Sequence, residues 1–207
     1  MLRRKISALV AVAVFTAAVA VPSVSHAALN ANLSQVINAG TLSVDFVNGS
    51  NVSVASPSIA FNAVDFSFSC QDGTATLGTA SQKLQVKNPK KAGVKVDLNA
   101  VTPGTGEWSD GGTESYNYND ATGSGCTNGQ LTVGSSPTFT KTAGAGSPTY
   151  TTPGGAFTGT ASVTLLNNTG NVAYNADLTG YTLTQKIPAE QTDASYSLPM
   201  VVSYVAQ

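Results

Sequence analysis

The sequence predicts an all-β protein, a β-sandwich with Ig-like or jelly-roll/Greek-key connections, preceded by a cleaved N-terminal signal helix. Three observations carry this prediction. Apolar residues recur at every second position in one short segment after another, the spacing of a strand with one buried face. Gly, Asn, Pro and Asp gather between those segments and supply turns. No helix-period pattern is found beyond the N-terminal segment.

The clearest alternation is the last. From Tyr196 through Leu198, Met200, Val202 and Tyr204 to Ala206 every second residue is apolar, which predicts a long terminal strand with one face on the core. Pro199 has no N–H to donate, so this strand is expected at a sheet edge or with a bulge. Near the start of the domain, Leu42, Val44 and Phe46 share a face, and Asn48-Gly49 offers a hairpin turn toward Val52 and Val54. Val64, Phe66, Phe68 and Cys70 fall on one side of the next expected strand. Leu84 and Val86, then Val94, Val96 and Leu98, read as two arms of a hairpin closed by Asn88-Pro89-Lys90-Lys91-Ala92-Gly93. Alternation lapses between Pro103 and about Gly129, predicting a long loop. Leu131, Val133 and Phe139 resume short strands, and 142–155 is an exposed Gly/Pro/Thr excursion. Two further runs, Ala161, Val163, Leu165 and Val172, Tyr174, Ala176, Leu178, flank a turn at 167–170, and Tyr181 and Leu183 repeat the pattern. There is no internal repeat and no sign of a second domain.

The N-terminus predicts export. Arg3, Arg4 and Lys5 precede an apolar run from Ile6 to Val21, and Ser25-His26-Ala27 offers small residues where signal peptidase needs them. Residues 1–27 are therefore expected to be a signal peptide and 28–207 a single sandwich domain. Contact with the membrane is expected only through that peptide before cleavage; a retained anchor is the competing reading. The expected location is secreted, at the cell surface.

Cleavage would strip the chain of chemistry. The sole histidine, His26, and both arginines lie in the leader. Ten basic residues minus three leaves seven lysines against eleven acids, a formal charge of −4. Without arginine, bidentate contacts to phosphate and guanine have no donor, so no nucleic-acid partner is expected. Without histidine, the commonest general base and transition-metal ligand are missing. No S-x-x-K motif is present, and no carboxylate pair is singled out as acid and base for glycoside hydrolysis. The chain is not expected to be an enzyme. Cys70 and Cys126, an even pair in an exported chain, predict one disulfide, and a pair of free thiols is the alternative.

The early Asn38-Ala39-Gly40-Thr41-Leu42-Ser43-Val44, the Lys87-Asn88-Pro89 turn, Glu107-Trp108-Ser109-Asp110-Gly111 and the ending Ile187-Pro188-Ala189-Glu190-Gln191…Tyr196-Ser197-Leu198-Pro199-Met200-Val201-Val202-Ser203-Tyr204-Val205-Ala206 together resemble the WxL-type bacterial cell-surface domain and related exported β-proteins. The family's two tryptophan-x-leucine motifs correspond here to Val96-Asp97-Leu98 and Ser203-Tyr204-Val205, which contain no tryptophan. The resemblance implies a β-sandwich displayed at the cell wall and held non-covalently to peptidoglycan. The early Ala39-Gly40-Thr41-Leu42 also resembles TasA/camelysin-type exported fibre proteins.

Three clusters are candidates for binding. Asp110, Glu114, Asn117, Asn119 and Asp120, with Glu107 nearby, offer the oxygens a calcium ion takes, and Gly111-Gly112 lets carbonyls turn inward. No other cofactor is expected, and an ordinary solvated loop is the alternative to calcium. Trp108, Tyr116 and Tyr118 could form a stacking platform for sugar rings, or could simply pack in the core. Lys83, Lys87, Lys90, Lys91 and Lys95 could meet acidic wall polymers, or could serve solubility and protect a sheet edge. The leading expectation is a secreted, cell-wall-associated structural or binding protein that engages peptidoglycan, wall polysaccharide or other surface proteins. The alternative is a self-assembling fibre or surface-layer subunit, a homo-oligomer joined through edge-strand pairing.

Overall fold

Strands account for all of the regular structure among the described residues of the computed structural model, which are 35–38, 40–122, 126–170 and 172–207. The expected signal segment, 1–27, lies outside them. In chain order the strands are β1 (Ser43–Val47), β2 (Gln71–Leu77), β3 (Lys83–Asn88), β4 (Val94–Ala100), β5 (Glu107–Ser109), β6 (Ser115–Asn117) and β7 (Gln130–Val133). There follow β8 (Thr138–Ala143), β9 (Tyr150–Thr151), β10 (Gly155–Ala156), β11 (Val163–Asn168), β12 (Tyr174–Thr179), β13 (Tyr181–Ile187) and β14 (Met200–Ala206). Three four-stranded antiparallel sheets run β1-β3-β12-β8, β10-β7-β13-β2 and β14-β4-β11-β9, and β5-β6 forms a small separate hairpin. The inner faces of the three larger sheets merge in one hydrophobic core, so the architecture is the expected all-β sandwich.

Alternation explains that core. Val94, Val96, Leu98 and Ala100 of β4 are buried and the residues between them are not. On β11 the phase shifts at a bulge between Thr164 and Leu166, which lets both Leu165 and Leu166 enter the core. Tyr181 carries its ring into the same core and donates its hydroxyl to the Leu165 carbonyl at 2.7 Å, joining two sheets.

The first two of these sheets are linked by strand pairing that bends from one into the other. β2 pairs with β13 and β3 pairs with β12, and only Gly180 separates β12 from β13. At the bend Gly180 donates its N–H to the Gly78 carbonyl at 2.8 Å. Both glycines hold positive φ, 80° each. A Cβ on Gly78 would stand 2.7 Å from the Leu178 carbonyl oxygen.

Several expectations need correction. β3 and β4 are not a hairpin: β3 lies between β1 and β12, and β4 between β14 and β11. The Asn88–Gly93 turn, with Lys91 at φ 58°, instead carries the chain from one sheet to another. Asn88 closes it from its own side chain, donating to the Ala92 carbonyl. The 64–70 alternation forms no strand, and Val64, Phe66 and Phe68 are exposed. Just ahead of it, Asn62 makes a backbone hydrogen bond to the free edge of β2: its N–H donates to the Thr74 carbonyl, and its side-chain oxygen accepts from Thr74. Beyond Asn62 the chain bends into an arch, held where Gln71 donates to the Asp65 carbonyl and Glu190 N–H to the Ser67 carbonyl.

The expected Cys70–Cys126 disulfide forms, but at the end of a sheet rather than from a core-facing strand. It joins the segments leading into β2 and β7, the two strands that flank β13. Closing a loop of 56 residues, it is expected to contribute about 4 kcal/mol through the unfolded chain.

The terminal strand runs over Met200–Ala206, shorter than the alternation suggested, and Tyr204 is 45% exposed. It is an edge strand, as Pro199 predicts. Its register sets Ser203 opposite Asp97 and Tyr204 opposite Val96, so the two segments compared with the tryptophan-x-leucine motifs lie side by side.

The Asn48 turn folds over the outer face of the first sheet. Its positive φ falls on Asn51 rather than Gly49, and the return is a single bridge, Val47 to Ser53. Asn51 accepts from Lys83 and Gln85, which also grip the buried Asp177 at 2.6 and 3.0 Å.

The bend gives a direct test. Gly78→Ala combines a left-handed backbone with a clash against backbone, and is expected to cost about 2 kcal/mol or more in denaturant unfolding. Gly49→Ala meets only ordinary contact and is expected to stay within about 0.5 kcal/mol of the parent. Equal stability of the two variants would contradict this role for the bend.

Candidate functional site

A cleft of about 480 Å³ opens at the end of the ladder where β2 begins and β13 ends. That size lies within the range of small-ligand sites. One wall is the arch, 59–67, and the other is the connector 187–196 between β13 and β14. The β5-β6 hairpin and Gln185 of β13 form its floor.

Gln185 organises the floor. It is 1% exposed, and every polar atom of its side chain is used. Its Oε1 accepts from the Trp108 indole N–H at 2.8 Å, and its Nε2 donates to the Lys186 and Asn117 carbonyls at 2.7 and 3.3 Å. A buried amide with three partners fixes the hairpin to the sheet, because a missing partner would leave it unsatisfied. The rings then pack on one another. Trp108 and Tyr116 stack with centroids 6.1 Å apart, Phe61 meets Trp108 edge-on at 5.2 Å, and Tyr196 meets Tyr116 edge-on at 5.1 Å. Tyr196 is itself tethered, accepting from Gln191 and donating to the Thr192 carbonyl.

Of the residues proposed for sugar contact, Trp108 and Tyr116 line this cleft. Trp108 is half-buried, while Tyr116 is almost fully buried and serves as floor. Tyr118 does not take part: it is 1% exposed and packs edge-on against Phe157 in the core. Its carbonyl accepts from Leu131 N–H, which draws the chain away from the cleft just after β6. Phe61 and Tyr196 complete the ring cluster and were not singled out from sequence. Phe61 stands outside any strand and the alternation places Tyr196 on the core face of the terminal strand, so only their residue type points to them.

The loop oxygens considered for calcium are spread among local partners. Asp110 Oδ1 accepts from Gly112 and Glu114 N–H in a turn, and Glu107 accepts from Ser115. Glu114 accepts from Thr192, which ties the hairpin to the wall of the cleft. Asn117 lies in β6, opposite Glu107. Asn119 is buried and donates to the Gly159 carbonyl, and Asp120 is buried and accepts from Thr122. Among the described residues no group of three or more His, Cys, Asp or Glu side chains is placed to hold a metal ion.

The lysines divide as well. Lys83 is taken by Asp177 and Lys95 by Asp97 at 2.9 Å, leaving Lys87, Lys90 and Lys91 exposed near the Asn88–Gly93 turn. They stand at the end of the bent ladder away from Gln71 and Ile187, so they do not contribute to the cleft.

Burial shows in the tyrosines. Desolvation, then the neighbouring Tyr196, pushes the Tyr116 hydroxyl up to about 12. Burial raises Tyr174 to about 12 against a smaller lowering by the neighbouring Asn88 amide, and raises Tyr181 further, with Tyr150 adding to it. A folded-state value above the unfolded one, 10.0, means the stabilisation is complete below pH 10. It is lost as pH rises through about 12. Absorbance titration is therefore expected to show late-ionising tyrosines whose ionisation coincides with unfolding. A single tyrosine step near 10.0 with the near-ultraviolet dichroism intact would contradict this packing. Comparison of the chain with protein-family models, with curated proteins and with solved structures yields no match.

Proposed function

We propose that this chain is a cell-surface binding protein whose aromatic cleft takes a sugar ring of a wall polysaccharide. The supporting observation is the cleft itself: Trp108, Phe61 and Tyr196 present aromatic surface beside Gln191, Asn62 and two carboxylates. Aromatic faces suit the apolar faces of pyranoses, and amides and carboxylates suit their hydroxyls. The resemblance to WxL-type domains and the signal-like leader agree with a surface location. The role is one of attachment, with no reaction assigned.

A separate observation favours a second reading, self-assembly. Among the described residues β14 is an edge strand paired on one side only, with β4; Val201, Tyr204 and Val205 on it are exposed, and an exposed edge strand can pair with another chain.

Sedimentation of the purified chain with isolated cell walls separates the two. The first reading expects a monomer that binds walls saturably, and Trp108→Ala is expected to weaken binding roughly tenfold or more, the loss typical of an aromatic anchor. Trp108 is the only tryptophan, so wall fragments should also shift its fluorescence. Polymers that grow with concentration and show no affinity for walls would overturn the first reading in favour of the second.

A further inference from the structure

The lining of the cleft carries charge of one sign. Asp65 stands on the arch and Asp193 on the opposite connector, and no Lys or Arg lines the cleft among the described residues. Neither aspartate takes part in an ion pair among the described residues. Lys186, between Gln185 and Ile187 on β13, alternates to the other face of the sheet and is held there by Asp72 at 2.9 Å. The exposed lysines lie at the other end of the ladder. A phosphate or uronate entering here would meet two carboxylates and no counter-charge, whereas a cation would meet carboxylates and aromatic faces together.

We infer that the cleft selects glycans with free amino groups: the aromatic cluster of Phe61, Trp108 and Tyr196 receives the pyranose ring, and Asp65 and Asp193 accept hydrogen bonds from its ammonium. This deepens the sugar-binding reading above and rests on it. N-acetylation removes the positive charge, so acetylated chains lose the carboxylate contacts while keeping the ring contact. Acidic polymers such as teichoic acids are disfavoured by the same field.

Titration of Trp108 fluorescence with three soluble probes tests this: a glucosamine oligomer, an N-acetylglucosamine oligomer of equal length, and a polyuronate oligomer. The glucosamine oligomer is expected to bind about tenfold tighter than the acetylated one, the scale of one well-placed cation contact. That preference is expected to shrink with added salt. Asp65→Asn with Asp193→Asn is expected to bring the two probes level, by weakening the glucosamine oligomer about tenfold more than the acetylated one, with the melting temperature unchanged. Both aspartates are exposed, so the fold is not at stake in that variant. Equal binding of the glucosamine and acetylated probes by the parent would overturn the amino-group selectivity and leave the sugar site standing. So would tighter binding of the polyuronate. Absence of binding by every probe and by cell walls would overturn both.

Discussion

The structure depends on a ladder that does not stay in one sheet. β2 and β3 run against β12 and β13, and the pairing passes through a bend at Gly78 and Gly180, where both positions hold a left-handed backbone and Gly78 also lacks room for a side chain. Because the ladder continues across the bend, Leu84, Val86 and Leu178 on one side reach the same core as Leu77, Tyr181 and Leu183 on the other. A sandwich built this way needs few long connections, and the one-residue link at Gly180 leaves β12 and β13 little freedom to slip in register. The bend also decides where the ladder ends. At the Gln71–Ile187 end the β2 edge is left open to the arch, and the cleft lies there.

The cleft is rigid on one side by construction. Gln185 carries the hairpin through Trp108, Glu114 carries it to the opposite connector through Thr192, and the Cys70–Cys126 bridge anchors the foot of the arch. Fixed rings lose little freedom on meeting a ligand, which is the advantage of a site positioned before binding. The arch is the more yielding wall: it carries exposed Phe66, packed edge-on against Phe68 just beyond it, and few backbone hydrogen bonds to the sheet.

Much of the fold was legible because alternation reports which face of a segment is buried. Val94 to Ala100 and Val163 to Leu165 followed it, Pro199 marked an edge strand, and the paired cysteines marked a disulfide. Alternation does not report the partner. Lys83–Asn88 and Val94–Ala100 look like hairpin arms on either side of good turn chemistry, yet each is an interior strand of a different sheet. Nor does it guarantee a strand: 64–70 alternates, but backbone pairing with the edge it might have joined stops at Asn62 and the chain then bends away. The site was half legible. Trp108 and Tyr116 stood out as aromatics in a polar loop, whereas Phe61, Gln185 and Tyr196 come together only through the tertiary fold. Tyr118, two residues from Tyr116, went to the core because the chain turns toward β7.

On the proposed reading, ligand enters at the open end of the bent ladder rather than along a sheet edge. Amide hydrogen exchange of the chain with and without isolated wall polysaccharide tests it most directly. Slowed exchange is expected only at 59–67, 107–117 and 185–196, with β14 unchanged. Protection concentrated along Met200–Ala206, with those three segments exchanging as before, would contradict it.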